Sequence, residues 1–147
     1  MKIEIFVATA HNGTDSGCGV ICIATDNIEH KCRRYGYALG CSDRKLASIK
    51  SIMVALGSVR LGFRDEEVEL YIKDDYIARL IEYSGSTYKI EPEEYIDDVK
   101  KMRKILSTYS NIGINGKSPR FDETYVLAET SMNTQLNSDT FTFNFNP

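Results

Sequence analysis

Three strand-like segments follow one another before the first helix signal, and no other feature constrains the fold as tightly. Residues 2–8 open on the alternating run Lys-Ile-Glu-Ile-Phe-Val. Residues 17–25, Gly-Cys-Gly-Val-Ile-Cys-Ile-Ala-Thr, are apolar and rich in β-branched side chains. Between them lies a stretch of Gly, Asn, Asp and Ser, His11 to Ser16, of the kind that turns a hairpin. Asp26-Asn27 marks a second tight turn, and Ile28 to Leu39 alternates loosely behind it. The three segments predict an antiparallel meander.

Helical periodicity begins after the meander. Ser42-Asp43 is an N-cap signal, and Leu46, Ile49, Ile52, Met53, Leu56 and Val59 recur at helical spacing to a stop near Gly57 or Gly62. Val68 to Ile72 predicts a fourth strand, and Asp74 or Asp75 caps a helix with Tyr76, Ile77, Leu80 and Ile81 on its apolar face. Glu91-Pro92-Glu93-Glu94 opens a further helix, with Tyr95, Val99, Met102, Leu106 and Tyr109 as its stripe. Ile112-Gly113-Ile114 is a short fifth strand, and Phe121, Tyr125, Ala128 and Met132 line a last helix. The order β-β-β-α-β-α-α-β-α predicts an α/β domain with a mixed five-stranded sheet over residues 1–132, followed by a polar and aromatic tail, 133–147.

Composition narrows the function classes. A chain of 147 residues with 42% apolar content is the size of one domain with a core of its own. Its net charge of −3 gives no global basic field. The longest apolar run falls far short of a membrane span, and the first residues lack a secretory signal, so a cytoplasmic protein with no membrane partner is expected. Cys18, Cys22, Cys32 and Cys41 have no C-x-x-C spacing and no His pair to complete a zinc site. They are expected as reduced, mostly buried thiols, with Cys41, just before the helix cap, the best-placed reactive one. Walker and Rossmann spacings are absent, and no cofactor or metal is expected.

Over residues 2–132 the element order resembles the ribonuclease H type 1 family. Ile3-Glu4-Ile5-Phe6 is similar to that family's first strand. Asp43-Arg44-Lys45-Leu46 through Met53-Val54-Ala55-Leu56 is similar to its first helix, and Leu70-Tyr71-Ile72-Lys73-Asp74-Asp75-Tyr76 to its fourth strand and the start of the next helix. The resemblance implies hydrolysis of the RNA strand of an RNA–DNA hybrid by two divalent metals. These are held by carboxylates at the end of strand one, in the first helix, at the end of strand four and in the last helix. Two neighbouring cations demand that density of negative charge.

At those places this sequence departs from the family. Val7-Ala8-Thr9-Ala10 stands where the family has Asp followed by Gly and Ser, with Ala8 at the ligand position. The first-helix Glu falls on Ser48 or Leu46, and no acid occurs between Arg44 and Arg64. Lys73 matches the end of strand four, with Asp74 one residue away. Tyr125 matches the last-helix position, with Asp122 and Glu123 nearby. The resemblance therefore implies the scaffold and argues against the activity. A nuclease using relocated carboxylates needs Asp74 or Asp75, Asp122 and Glu123 to meet.

Binding readings remain. Lys73 can stand in for the missing cations, pairing with an acid or receiving a phosphate. Together with Lys100, Lys101, Arg103 and Lys104 it offers contacts to RNA, DNA or an RNA–DNA hybrid. The helix carrying the last four also begins with acids and ends with bases, as its dipole favours. The loop from His11 to Gly17 reads either as a phosphate grip or as a plain hairpin. Phe141, Phe143 and Phe145 alternate with polar residues. Such a strand docks on a protein partner or a second copy, or else folds back on its own sheet edge or stays disordered. Sequence leaves two main alternatives: a non-catalytic nucleic-acid-associated binding protein, or a protein-interaction module using the sheet edge and tail.

Overall fold

In the computed structural model, residues 1–28, 30–73, 95–135 and 138–143 are described. The meander forms as expected: β1 (Lys2–His11), β2 (Ser16–Thr25) and β3 (His30–Ala38) pair antiparallel in sequence order. β1 reaches His11 because the turn beyond it is closed by one side chain. Asn12 Oδ1 accepts from the N–H groups of Thr14 (3.1 Å) and Asp15 (2.8 Å), and Gly13 supplies a φ of 98°. The amides that a phosphate would need at Thr14 and Asp15 are thus taken, and the loop is a hairpin turn rather than a grip.

β4 (Glu67–Tyr71) pairs parallel to β1, and β5 (Ile112–Asn115) parallel to β4. The five strands form the expected mixed sheet. A sixth strand, β6 (Ser138–Phe143), adds to the far edge, giving the order β5-β4-β1-β2-β3-β6. It lies antiparallel on β3, with Phe141 opposite Arg33 and Phe143 opposite Lys31. Of the two alternatives for the tail, this strand takes the fold-back one; Phe145 lies outside the described residues.

Helix α1 (Arg44–Gly57) starts at the expected cap, with Asp43 Oδ1 accepting from Leu46 N–H at 3.0 Å. It buries Ile49, Ile52, Ala55 and Leu56 against Ile5, Val20 and Leu70 on one sheet face. Helix α2 (Ile96–Leu106) runs parallel to α1. Tyr95 at its start donates to both Asp43 carboxylate oxygens at 2.7 Å, and Tyr109 past its end donates to the Leu56 carbonyl at 2.5 Å. The helix expected over Tyr76–Ile81, Asp75 and the Glu91–Glu94 helix start lie outside the described residues.

Helix α3 (Phe121–Thr134) covers the other sheet face. Glycines on β2 and β3 let it approach closely. A Cβ on Gly17 would sit 2.2 Å from the Ala128 carbonyl oxygen, one on Gly19 2.1 Å from that of Thr124, and one on Gly36 2.2 Å from Ser131 Oγ. Gly19 pairs with Gly36 across the strands, so the helix axis rests on a groove without side chains. No helix among the described residues is long and apolar enough to cross a membrane.

Candidate functional site

The carboxyl ends of the parallel strands β1 and β4 lie side by side, and helices from both faces converge on them. The register pairs Phe6 with Tyr71, so two residues further on Ala8 stands level with Lys73. α1 presents Ser48 from its second turn, and α3 presents Tyr125. The four positions singled out by the resemblance, Ala8, Ser48, Lys73 and Tyr125, line one cavity of about 180 Å³. Val7, Thr9, His11, Arg44, Ile52, Ile72 and Phe121 complete its wall.

Each position is fixed by its element. Ala8 is buried with Ala10, Ala128 and Met132 beneath α3, where the glycine groove seats that helix. Thr9 Oγ1 donates to Ser51 Oγ at 2.7 Å, and Ser51 donates to the Ala47 carbonyl at 2.9 Å, which ties the end of β1 to the middle of α1. His11 serves the loop backbone: Nδ1 accepts from Gly13 N–H at 3.3 Å and Nε2 donates to the Ser42 carbonyl at 2.5 Å. On the α3 side, Phe121 and Tyr125 stack with centroids 5.5 Å apart, and the Lys73 ammonium lies 4.4 Å from the Phe121 ring centroid. This cation–π contact holds the lysine head at the cavity wall.

The electrostatics of the cavity are the reverse of a metal site. Among the described residues its lining contains two cationic side chains, Arg44 and Lys73, and no carboxylate. Neither cation has an ion-pair partner among the described residues. A divalent ion needs anionic oxygen ligands. Here the side-chain oxygens are the neutral hydroxyls of Thr9, Ser48 and Tyr125, with an ammonium and a guanidinium beside them. The metal pair implied by the resemblance therefore does not fit this donor set.

The residual carboxylates that are described do not repair it. Asp122 and Glu123 are exposed on α3 and do not line the cavity. Glu123 is instead held by Arg120 at 3.5 Å and by Arg34 at 3.9 Å. Asp74 lies outside the described residues. Among those that are described, no group of three or more His, Cys, Asp or Glu side chains could hold a metal ion.

The basic residues separate into two places. Lys73 is in the cavity wall, whereas Lys100, Lys101, Arg103 and Lys104 all lie on α2 and none of them lines the cavity. Because α2 runs parallel to α1, Arg103 and Lys104 fall near the carboxyl end of α1, opposite the Arg44 end. Sequence reasoning singled out Lys73 but gave Arg44 and Phe121 no role in a site. The signal for Arg44 was its place in the first turn of the helix that also carries Ser48, one turn on.

The cysteines are free. Burial pushes the Cys18 thiol up to about 12 and the Cys22 thiol up to about 11, which makes both poor nucleophiles at neutral pH. Cys41 is half-buried, with Sγ donating to the Asp43 carbonyl at 3.4 Å.

Comparison with known proteins agrees with this architecture. No protein-family model and no curated protein matches the sequence. Solved structures do. Ribonuclease H1 of the halophilic archaeon Halobacterium salinarum superimposes with a TM-score of 0.71 at 13% identity, over 91% of this chain and 99% of that one. LC11 ribonuclease H1, from compost metagenomic material and solved with an RNA/DNA hybrid, gives 0.70 at 17% identity over 90% and 98%. LC9 ribonuclease H1, a type 1 enzyme with the type 2 active-site motif, gives 0.75 at 11% identity over 97% and 77%. The chain has a ribonuclease H-like fold.

Proposed function

We propose that this chain is a non-catalytic ribonuclease H-like protein that binds nucleic acid through the end of the sheet where its structural neighbours carry out hydrolysis. The observation that carries this reading is the cavity at Ala8, Ser48, Lys73 and Tyr125: the four positions converge, and the charge they bring is positive. A two-metal site neutralises a phosphate backbone with cations that carboxylates hold in place. In this cavity a lysine and an arginine perform the neutralisation directly. They contribute charge and hydrogen bonds to a phosphate but activate no water, so the expected outcome is binding without cleavage. The LC11 neighbour was solved with an RNA/DNA hybrid, and a hybrid is the first ligand to try.

The test is a titration of labelled single-stranded RNA, single- and double-stranded DNA and RNA–DNA hybrid, at low and moderate salt with magnesium, with every sample also run on a denaturing gel. Saturable binding that weakens with salt and leaves the strands intact is expected. Magnesium-dependent cleavage would overturn the non-catalytic reading, and absence of binding to all four would overturn the nucleic-acid reading.

A further inference from the structure

We infer that the cavity takes a phosphate monoester, the dianionic end group of a nucleotide, in preference to the internal phosphodiesters of a strand. The inference rests on the proposed nucleic-acid reading for its ligand class and adds which phosphate is recognised.

Charge is the first argument. Arg44 and Lys73 both line the cavity, and no carboxylate among the described residues of its wall offsets them. Two cations suit a group carrying about −1.5 to −2 charges, as a monoester does at neutral pH, better than a diester with a single charge. The guanidinium fork can take two oxygens, and the ammonium a third. The hydroxyl of Tyr125 is also in the wall to donate.

Size is the second. The cavity of about 180 Å³ is large enough to receive a phosphate group. An internal diester carries a sugar on either side of its phosphate, whereas a terminal phosphate presents a free side to the cavity. The walls themselves are held in place: Ala8 is 4% exposed beneath α3, and Phe121 is flanked by Tyr125 on one hand and the Lys73 ammonium on the other. Such a site reads the end of a strand, or the same chemistry on a free mononucleotide.

The test measures anisotropy of one labelled oligonucleotide sequence prepared with a 5′-phosphate, a 3′-phosphate or hydroxyl ends, with inorganic phosphate and a nucleoside monophosphate as competitors. It uses the wild-type chain, Arg44→Gln and Lys73→Gln. Both residues are exposed, so folding is expected to survive, and thermal melting checks it. A phosphorylated end is expected to bind about tenfold or more tightly than a hydroxyl end, and each variant to lose most of that preference. Direct binding of a fluorescent nucleoside monophosphate, with no strand bound at all, would support the monoester site while overturning the nucleic-acid reading. Equal affinity for all three ends, with both variants weakening them equally, would overturn the monoester site and leave the nucleic-acid reading standing. Equal affinity in variants and wild type would exclude the cavity from binding altogether.

Discussion

Arg64 shows how much one side chain can do that its sequence position does not announce. It is 8% exposed, yet its guanidinium is fully engaged: Nε donates to the Val59 carbonyl at 2.7 Å, Nη1 to Thr108 Oγ1 at 2.8 Å and Nη2 to the Gly57 carbonyl at 3.3 Å. A cation at the carboxyl end of α1 also meets the negative end of that helix. Arg64→Ala leaves buried carbonyls without donors and is expected to cost about 3 kcal/mol in urea unfolding. Arg64→Lys is expected to recover only part, because an ammonium cannot make the fork. Asp43 works at the other end of α1. The Leu46 N–H, and after it the Tyr95 hydroxyl, hold its carboxyl below the usual 3.8. A depressed carboxyl stabilises the fold at pH values above its unfolded pKa, and that contribution disappears as pH falls through the folded value. Asp43→Ala is therefore expected to destabilise by about 1 kcal/mol at pH 7, and by progressively less below about pH 4. Urea midpoints of both chains across that range check it. Asp43 was legible in the sequence because capping is local. Arg64 was not, because its partners are carbonyls and a hydroxyl up to 44 residues away, which no spacing rule reaches.

At the scale of elements, strand and helix order followed from periodicity, but the seating of helices on the sheet did not. The glycines of β2 looked like turn punctuation at Gly17, whereas their alternation at Gly17 and Gly19 marks one face cleared for α3. Gly19→Ala would drive a methyl into the Thr124 carbonyl and the Ala128 amide. Both are backbone, so α3 must move; the expected cost is about 3 kcal/mol by thermal or urea unfolding. Gly57→Ala, at the open end of α1, meets nothing within 4 Å and is expected to stabilise by about 0.5 kcal/mol. The contrast separates packing from backbone entropy. β6 poses a different problem. Alternating Phe and Thr residues specify a strand but not whose edge it joins, and the structure supplies the answer by pairing it with β3. Removing residues 138–147 uncovers the β3 backbone. The truncated chain is expected to self-associate at concentrations where the full chain does not, as read by sedimentation.

For the whole molecule, the fold and the chemistry at its site point different ways. The fold is shared with solved ribonuclease H1 structures, while this chain gathers Ala8, Ser48, Lys73 and Tyr125 around one cavity at the ends of β1 and β4. The four positions that meet in the cavity could be picked out in the sequence because strand ends and helix turns could be counted from the resemblance. It did not reveal that Arg44 shares the cavity with Lys73, or that the lysines of α2 lie apart, since both depend on how α1 packs across the sheet and beside α2. A net charge of −3 also hid the site: the positive cavity is local, on a chain whose overall balance is acidic. The question that decides the account is whether this end of the sheet attracts a cation or an anion. Calorimetric titration of the unmodified chain with Mn²⁺, and separately with a 5′-phosphorylated oligonucleotide at low salt, answers it directly. Saturable heat is expected with the oligonucleotide, diminished in Lys73→Gln, and none is expected with Mn²⁺. Saturable Mn²⁺ binding accompanied by strand cleavage would contradict the account and restore this chain to the metal-dependent nucleases.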